Sequence, residues 1–171
     1  MTNFPGRIKP VALALAVAII FIIAYLATVQ TAVPGNGATD PSQGTSWFTP
    51  GDDRLQTVVG KIDKNAGTIT SAAAPGMLVY GPYLPMPAGR YAVTWIGSAQ
   101  ASSAPRFDVA SMETGVITSA NATLAASPAR TRLQTLAFTL SRPVKGAEFR
   151  VEVAASDALT VESIEVRPIH D

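Results

Sequence analysis

The stretch Ala147–Val153, AEFRVEV, decides the fold. Ala147, Phe149, Val151 and Val153 alternate with Glu148, Arg150 and Glu152. A period of two puts the apolar set on one face and the charged set on the other. Such a strand belongs to an antiparallel sheet with one side on a core and one side in water. The same rhythm spreads in both directions. Leu136, Phe138 and Leu140 are in phase within Leu133–Leu140, and Tyr91, Val93 and Trp95 within Arg90–Ile96, so Tyr91 and Trp95 read as core. Met77–Tyr80, Arg106–Ala110 and Gly115–Thr118 are shorter runs of the same kind. Leu55–Ile62 and Thr68–Thr70 flank Lys64-Asn65-Ala66-Gly67, which reads as a hairpin turn.

The last strand slips phase. Leu159 and Val161 are two apart, as are Ile164 and Val166, but 161 to 164 is a step of three. An extra residue near Glu162-Ser163 restores both pairs to one face, which predicts a β-bulge there. Only Asn121–Ala126 offers even a turn of helix. Eight or nine short strands separated by Gly/Pro turns predict an all-β fold, an antiparallel β-sandwich (jelly roll). It occupies 47–171.

Charge is distributed unevenly ahead of that domain. After Arg7 and Lys9 no charged residue occurs until Asp40. Within the gap, Val11–Val29 (VALALAVAIIFIIAYLATV) carries polar atoms only at Tyr25 and Thr28. A helix of that length spans about 28 Å, close to a bilayer's hydrocarbon thickness. The expectation is a single transmembrane α-helix within 10–33, opened by Pro10 and closed before Pro34-Gly35. A cleaved signal peptide is the competing reading. The apolar run is too long for one, and Gln30-Thr31-Ala32 makes a poor cleavage site. As a signal anchor, the helix leaves 1–9 in the cytoplasm, held there by Arg7 and Lys9. The remaining chain is exported. The Ala-rich composition has a bacterial look, which would make the location the inner (cytoplasmic) membrane with the domain in the periplasm. Residues 34–46, PGNGATDPSQGTS, read as a flexible linker. Ala14 and Ala18, with Ala12 and Ala16, form small-residue pairs that together with Tyr25 could pack against another helix.

Composition excludes much chemistry. There is no cysteine and one histidine, His170, so thiol chemistry, zinc-cysteine sites and a Ser-His-Asp triad have no material. A net charge of +1 gives no footprint for nucleic acid. Asp52, Asp53, Asp63, Asp108, Glu113 and Asp157 mostly sit beside turn-forming residues and read as solvated turn acids rather than a glycosidase pair. Asp52-Asp53 supplies few of the about six to eight oxygens that Ca²⁺ takes. No metal site, no cofactor and no enzymatic activity are expected.

The segment Leu78–Trp95, LVYGPYLPMPAGRYAVTW, is the most distinctive. With Phe107-Asp108-Val109 and the closing Arg142–Pro168, it resembles a bacterial jelly-roll module similar to carbohydrate-binding domains. Modules of that kind accompany glycosyltransferases or methyltransferases of envelope polysaccharides. The likeness covers 76–168 through the pattern GPY-x-x-x-P-x-G-x-Y, an FDV-type strand and an EFRV-type strand. It implies glycan recognition, with Tyr83 and Arg90 at the rim. No catalytic domain accompanies the module in these residues, so a part in glycan synthesis would have to come through a partner. The same motif has a purely structural reading. Pro85, Pro87 and Gly89 turn the chain between two strands, and Tyr80 and Tyr83 bury their rings.

Trp47 and Phe48 stand at the linker exit. They could plug the sandwich, sit at the membrane interface, or face a partner. Two functions follow from these features. The first is a non-catalytic membrane accessory or scaffold subunit whose domain docks on an integral membrane protein complex. The second is a membrane-tethered glycan-binding module serving envelope polysaccharide or glycolipid assembly. A docking site should be a broad, low-charge patch, whereas a glycan site should show an exposed ring with polar neighbours.

Overall fold

A computed structural model describes residues 44–170. The expected transmembrane helix, with Ala12, Ala14, Ala16, Ala18 and Tyr25, and the topology residues Arg7 and Lys9 lie outside the described residues. So does most of the expected linker. Eleven strands make up the described part: β1 (Ser46–Phe48), β2 (Gly60–Asp63), β3 (Thr68–Ser71), β4 (Gly76–Val79), β5 (Pro82–Met86), β6 (Gly89–Ala99), β7 (Arg106–Ser111), β8 (Gly115–Asn121), β9 (Ser127–Leu140), β10 (Val144–Val153) and β11 (Leu159–Pro168). No helix occurs among the described residues. Asn121–Ala126 is extended instead, and Leu124 bridges Ser103.

The strands form two antiparallel sheets. One runs β2-β3-β11-β6-β9, with β1 also on β11, and the other runs β4-β10-β7-β8, with β5 also on β10. The inner faces meet through the residues that the alternation selects. Phe149, Val151 and Val153 of β10 are buried, as are Tyr91, Val93 and Trp95 of β6 and Leu136, Phe138 and Leu140 of β9. Aromatic pairs cross between the sheets: Trp95 to Phe107 at 5.2 Å, and Phe149 to Phe48 and Phe138 at 6.4 Å each. Each such ring contributes roughly 1.5–3 kcal/mol through burial, so this is the main source of stability.

The slip in the last strand is a bulge. The β11–β6 register shifts between Val161 and Ser163, and Leu159, Val161, Ile164 and Val166 all reach the core. The hairpin at 64–67 forms as read. Gly67 takes a φ of +66°, and the Asp63 carboxylate accepts from the Asn65 and Ala66 N–H groups.

Two details differ from the sequence reading, and the burial of Phe48 selects among its alternatives. Residues 55–59 are not a strand; only Gln56 bridges Tyr80. Pro82–Met86 is a strand rather than a turn. Its prolines are tolerated because β5 pairs with β10 alone, which leaves one side unpaired. Phe48 is fully buried in the core, so it presents no surface to a partner. Trp47, between two inward residues, faces the other way and is half-buried opposite Glu165.

Candidate functional site

The outward face of the five-stranded sheet collects charge. Phe149 and Val151 point inward, so Glu148, Arg150 and Glu152 point outward along β10; on β7, Arg106, Asp108 and Ala110 do the same opposite Phe107 and Val109. Pairing sets these residues in rows. Glu148 faces Ala110, Arg150 faces Asp108, and Glu152 faces Arg106. The rows continue onto β8 with Ser119 beside Asp108 and Asn121 beside Arg106.

Asp108 is the centre of the constellation. It is 1 % exposed and accepts from Arg150 Nε at 2.6 Å, Arg150 Nη2 at 3.1 Å and Arg106 Nη2 at 2.7 Å. Hydrogen bonding to this carboxylate pushes the Arg150 guanidinium above its usual range. Arg106 Nε also lies 3.0 Å from Glu152 Oε2, as an ion pair without an aligned hydrogen bond. Glu148 is nine-tenths buried. Burial raises its carboxyl above the ordinary value, Arg150 opposes that shift, and Asp108 adds to it.

Tyr83 completes the face. Pro82, Leu84 and Met86 are buried, so Tyr83 is turned outward and is 39 % exposed. The approach to it is fixed by close packing. Gly81 takes a φ of +104°, and a Cβ there would stand 2.2 Å from the Arg54 carbonyl oxygen. The Gly81–Pro82 peptide is cis, and the Gly81 carbonyl accepts from Phe149 N–H at 2.7 Å. Tyr83 itself sits at a φ of +61°. A bulky residue in the left-handed region is uncommon and is a recurrent feature of ligand-contacting segments. Burial, then the charge of Glu148, raises its phenol above the usual value.

This placement alters several sequence readings. Tyr83 does not bury its ring. Asp108 and Asp157 are not solvated turn acids: Asp157 is 4 % exposed and ties loops together by accepting from Ala104 N–H at 3.0 Å and Ala154 N–H at 2.8 Å. Asp52 is engaged by Arg54 at 2.6 and 3.0 Å, and Asp53 pairs with Lys64. Hydrogen bonds from the Arg54 side chain hold the Asp52 carboxyl below its ordinary range. Among the described residues no group of acids or histidine is placed to hold a metal. Arg90 is exposed but lies in the six-stranded sheet, so it does not share a face with Tyr83. The alternation in Ala147–Val153 pointed to the charged outer face. What it could not give was the partner of Arg150, 42 residues away in sequence.

No protein-family model matches the chain, and no curated protein does either. Solved structures do. The C-terminal CBM6 of LamC, a marine laminarinase from Zobellia galactanivorans, is similar at 11% identity, with 72% of this chain and 98% of that one covered and a TM-score of 0.50. The carbohydrate-binding module CBM6cm-2 of lichenase 5A from Cellvibrio mixtus, solved with cellotriose, shows 12% identity, 73% and 98% coverage and a TM-score of 0.49. A family two carbohydrate esterase from Cellvibrio japonicus shows 11% identity and a TM-score of 0.47; 73% of this chain is covered, and it spans 34% of the esterase. At this level of identity the likeness concerns the fold, a jelly-roll sandwich of the carbohydrate-binding-module kind.

Proposed function

We propose that the chain is a non-catalytic glycan-binding module, tethered to a membrane by residues 11–29 with its N-terminus in the cytoplasm and its domain exported. One observation carries the glycan reading: an outward Tyr83 ring stands on the same sheet face as the part-exposed guanidiniums of Arg150 and Arg106. A ring face takes up the apolar C–H side of a sugar, and adjacent charged groups bond its hydroxyls. The Asp108–Arg150–Arg106 network holds those groups in place before any ligand arrives, which lowers the ordering cost of binding. It also argues for binding over hydrolysis. A nucleophilic or acid carboxyl must reach the substrate, and Asp108 is buried beneath two guanidiniums.

The accessory-subunit reading calls for a broad, low-charge patch, and no comparison supports it. Among the described residues the large apolar side chains left exposed are Val58, Tyr83, Met112 and Val116, so the apolar contact available to a docking partner is limited to single side chains. The test is calorimetric titration of the full-length protein in lipid nanodiscs against a panel of soluble envelope and plant-type oligosaccharides. Saturable binding that Tyr83→Ala lowers at least about tenfold is expected for a stacking residue. A flat response across the panel sinks the reading.

A further inference from the structure

One end of the sandwich gathers features that the glycan face leaves unused. β5 ends there at Met86 and β6 begins at Gly89; β9 ends there at Leu140 and β10 begins at Val144. The β7–β8 tip, residues 112–114, lies at the same end, because Ser111 pairs with Ala147 near the start of β10. β11 finishes there at Pro168, opposite Tyr91. β1 runs antiparallel to β11 with Ser46 opposite Val166, so the chain preceding the domain also joins at this end.

This end is basic. Arg90, Arg142, Lys145 and Arg167 lie in its connections or within one residue of its strand ends, and all four are exposed. Among the described residues the one acid placed likewise is Glu113, whose carboxylate accepts from the Lys145 backbone N–H at 3.0 and 3.2 Å. Among these cations Met112 stands 88 % exposed at the hairpin tip, and Val116 is 50 % exposed. The opposite end differs. Its connections at 72–75, 100–105, 122–126 and 154–158 contain no Lys or Arg, their single charge, Asp157, is buried, and Lys61, beside the start of β2, is the exposed cation at its strand ends. Arg106 and Glu152, at strand ends there, pair with each other.

We propose that this end rests on an anionic phospholipid bilayer, with Met112 set into the headgroup layer and Arg90, Arg142, Lys145 and Arg167 against lipid phosphates. The inference rests on the tethering of residues 11–29 given above. Where the chain joins the domain and the sign of the charge both favour a bilayer as the occupant. Residues 30–45 number sixteen. A Gly/Ser/Thr-rich tether of that length has a root-mean-square span of about 22 Å. A surface held so close is met at an effective concentration of roughly millimolar, so a weak attraction suffices. An apolar tip at the same end as four exposed cations is the composition that suits the lipid interface.

The chain contains no cysteine, so a single introduced thiol carries a label uniquely. Full-length M112C and S156C, the second at the opposite end, are labelled with an environment-sensitive dye. Each is reconstituted into vesicles of phosphatidylcholine alone or mixed with phosphatidylglycerol. The expected result is a blue shift and quenching by headgroup-spin-labelled lipid at 112 and not at 156, in the anionic vesicles only. Near such a surface each basic residue is worth roughly a fivefold gain in partitioning. Arg142→Gln, Lys145→Gln and Arg167→Gln together should therefore lower the equilibrium constant for contact about a hundredfold, with the thermal midpoint unchanged. Equal, water-like signals at 112 and 156 in protein that floats with the vesicles overturn the proposal and leave the tether standing. Quenching at 112 that is as strong without anionic lipid overturns it as well. Protein that fails to float with the vesicles overturns the tether, and this proposal with it.

Discussion

Arg150 on β10 donates from Nε to Asp108 Oδ1 on β7 at 2.6 Å, across the middle of the five-stranded sheet. Asp108 is 1 % exposed, and a second guanidinium, that of Arg106, reaches its other oxygen. Removing one member of a buried pair leaves an uncompensated charge and costs about 3–5 kcal/mol. The Arg150 side chain is 22 % exposed, and water screens part of that cost, so Asp108→Asn should lose about 2–3 kcal/mol. Urea unfolding of the variant measures it. In the cycle of Asp108→Leu, Arg150→Met and their double variant, the double should lose clearly less than the sum of the two singles; an additive double variant would show that the pair is not coupled.

Tyr83 separates ring from backbone. Its φ of +61° costs a non-glycine residue roughly 1–2 kcal/mol. Tyr83→Gly relieves that conformation, whereas Tyr83→Ala keeps it, and both delete the ring. Unfolding midpoints should therefore rank the Gly variant above the Ala variant by about 1 kcal/mol, less the entropy that glycine adds to the unfolded chain. Glycan affinity should fall equally in both. Affinity retained by the Gly variant would mean that the backbone, not the ring, makes the contact.

How far the sequence reaches is clear from particular residues. Alternation in β6, β9 and β10 identified the inward side chains, because period two is a local property that one strand displays alone. The bulge was legible for the same reason: Leu159, Val161, Ile164 and Val166 share a core face only if one residue is extra. Pro82–Met86 does not read as a strand because two prolines normally exclude one, and edge position is a tertiary fact. Phe48 stays open in the sequence because a three-residue strand has too short a pattern. The burial of Asp108 is invisible there because Arg150 meets it only through sheet pairing, 42 residues away. Motif resemblance puts Tyr83 at the rim, whereas its outward direction follows from the buried positions on either side.

Glu148 should make stability depend on pH in a definite sense. Burial holds its carboxyl above the ordinary carboxylate value in the folded protein. A carboxyl raised in the folded state favours folding when protonated, and that contribution is complete below the unfolded pKa. It is lost as pH rises through the higher folded value. Once ionised, the carboxylate is therefore a local burden on the fold. Glu148→Gln should raise the urea midpoint wherever the folded carboxyl is ionised, with an advantage that shrinks as pH falls through its raised value and is gone below the ordinary carboxylate range. An advantage that grew on acidification would reverse the sign and show a carboxylate that the fold stabilises.

Gly97 marks where β6 passes the bulge. A Cβ on it would stand 1.9 Å from the Thr160 carbonyl oxygen and 3.0 Å from Val161 Cα. Both obstacles lie in the β11 backbone, which cannot rotate aside as a side-chain tip can. Gly97→Ala must therefore push β6 and β11 apart at the Gly97–Val161 pair and lengthen the ladder bonds on both sides. Overpacking of this kind costs about 1–3 kcal/mol, and the backbone obstacle puts the expected loss near the upper end. Gly44→Ala, with open space around its Cβ, should be nearly neutral and serves as the control. Hydrogen exchange would localise the effect, since amides of β6 and β11 flanking Gly97 should lose protection before those of β10 and β7. Uniform loss across both sheets would mean that the sandwich opens as one unit rather than at this seam.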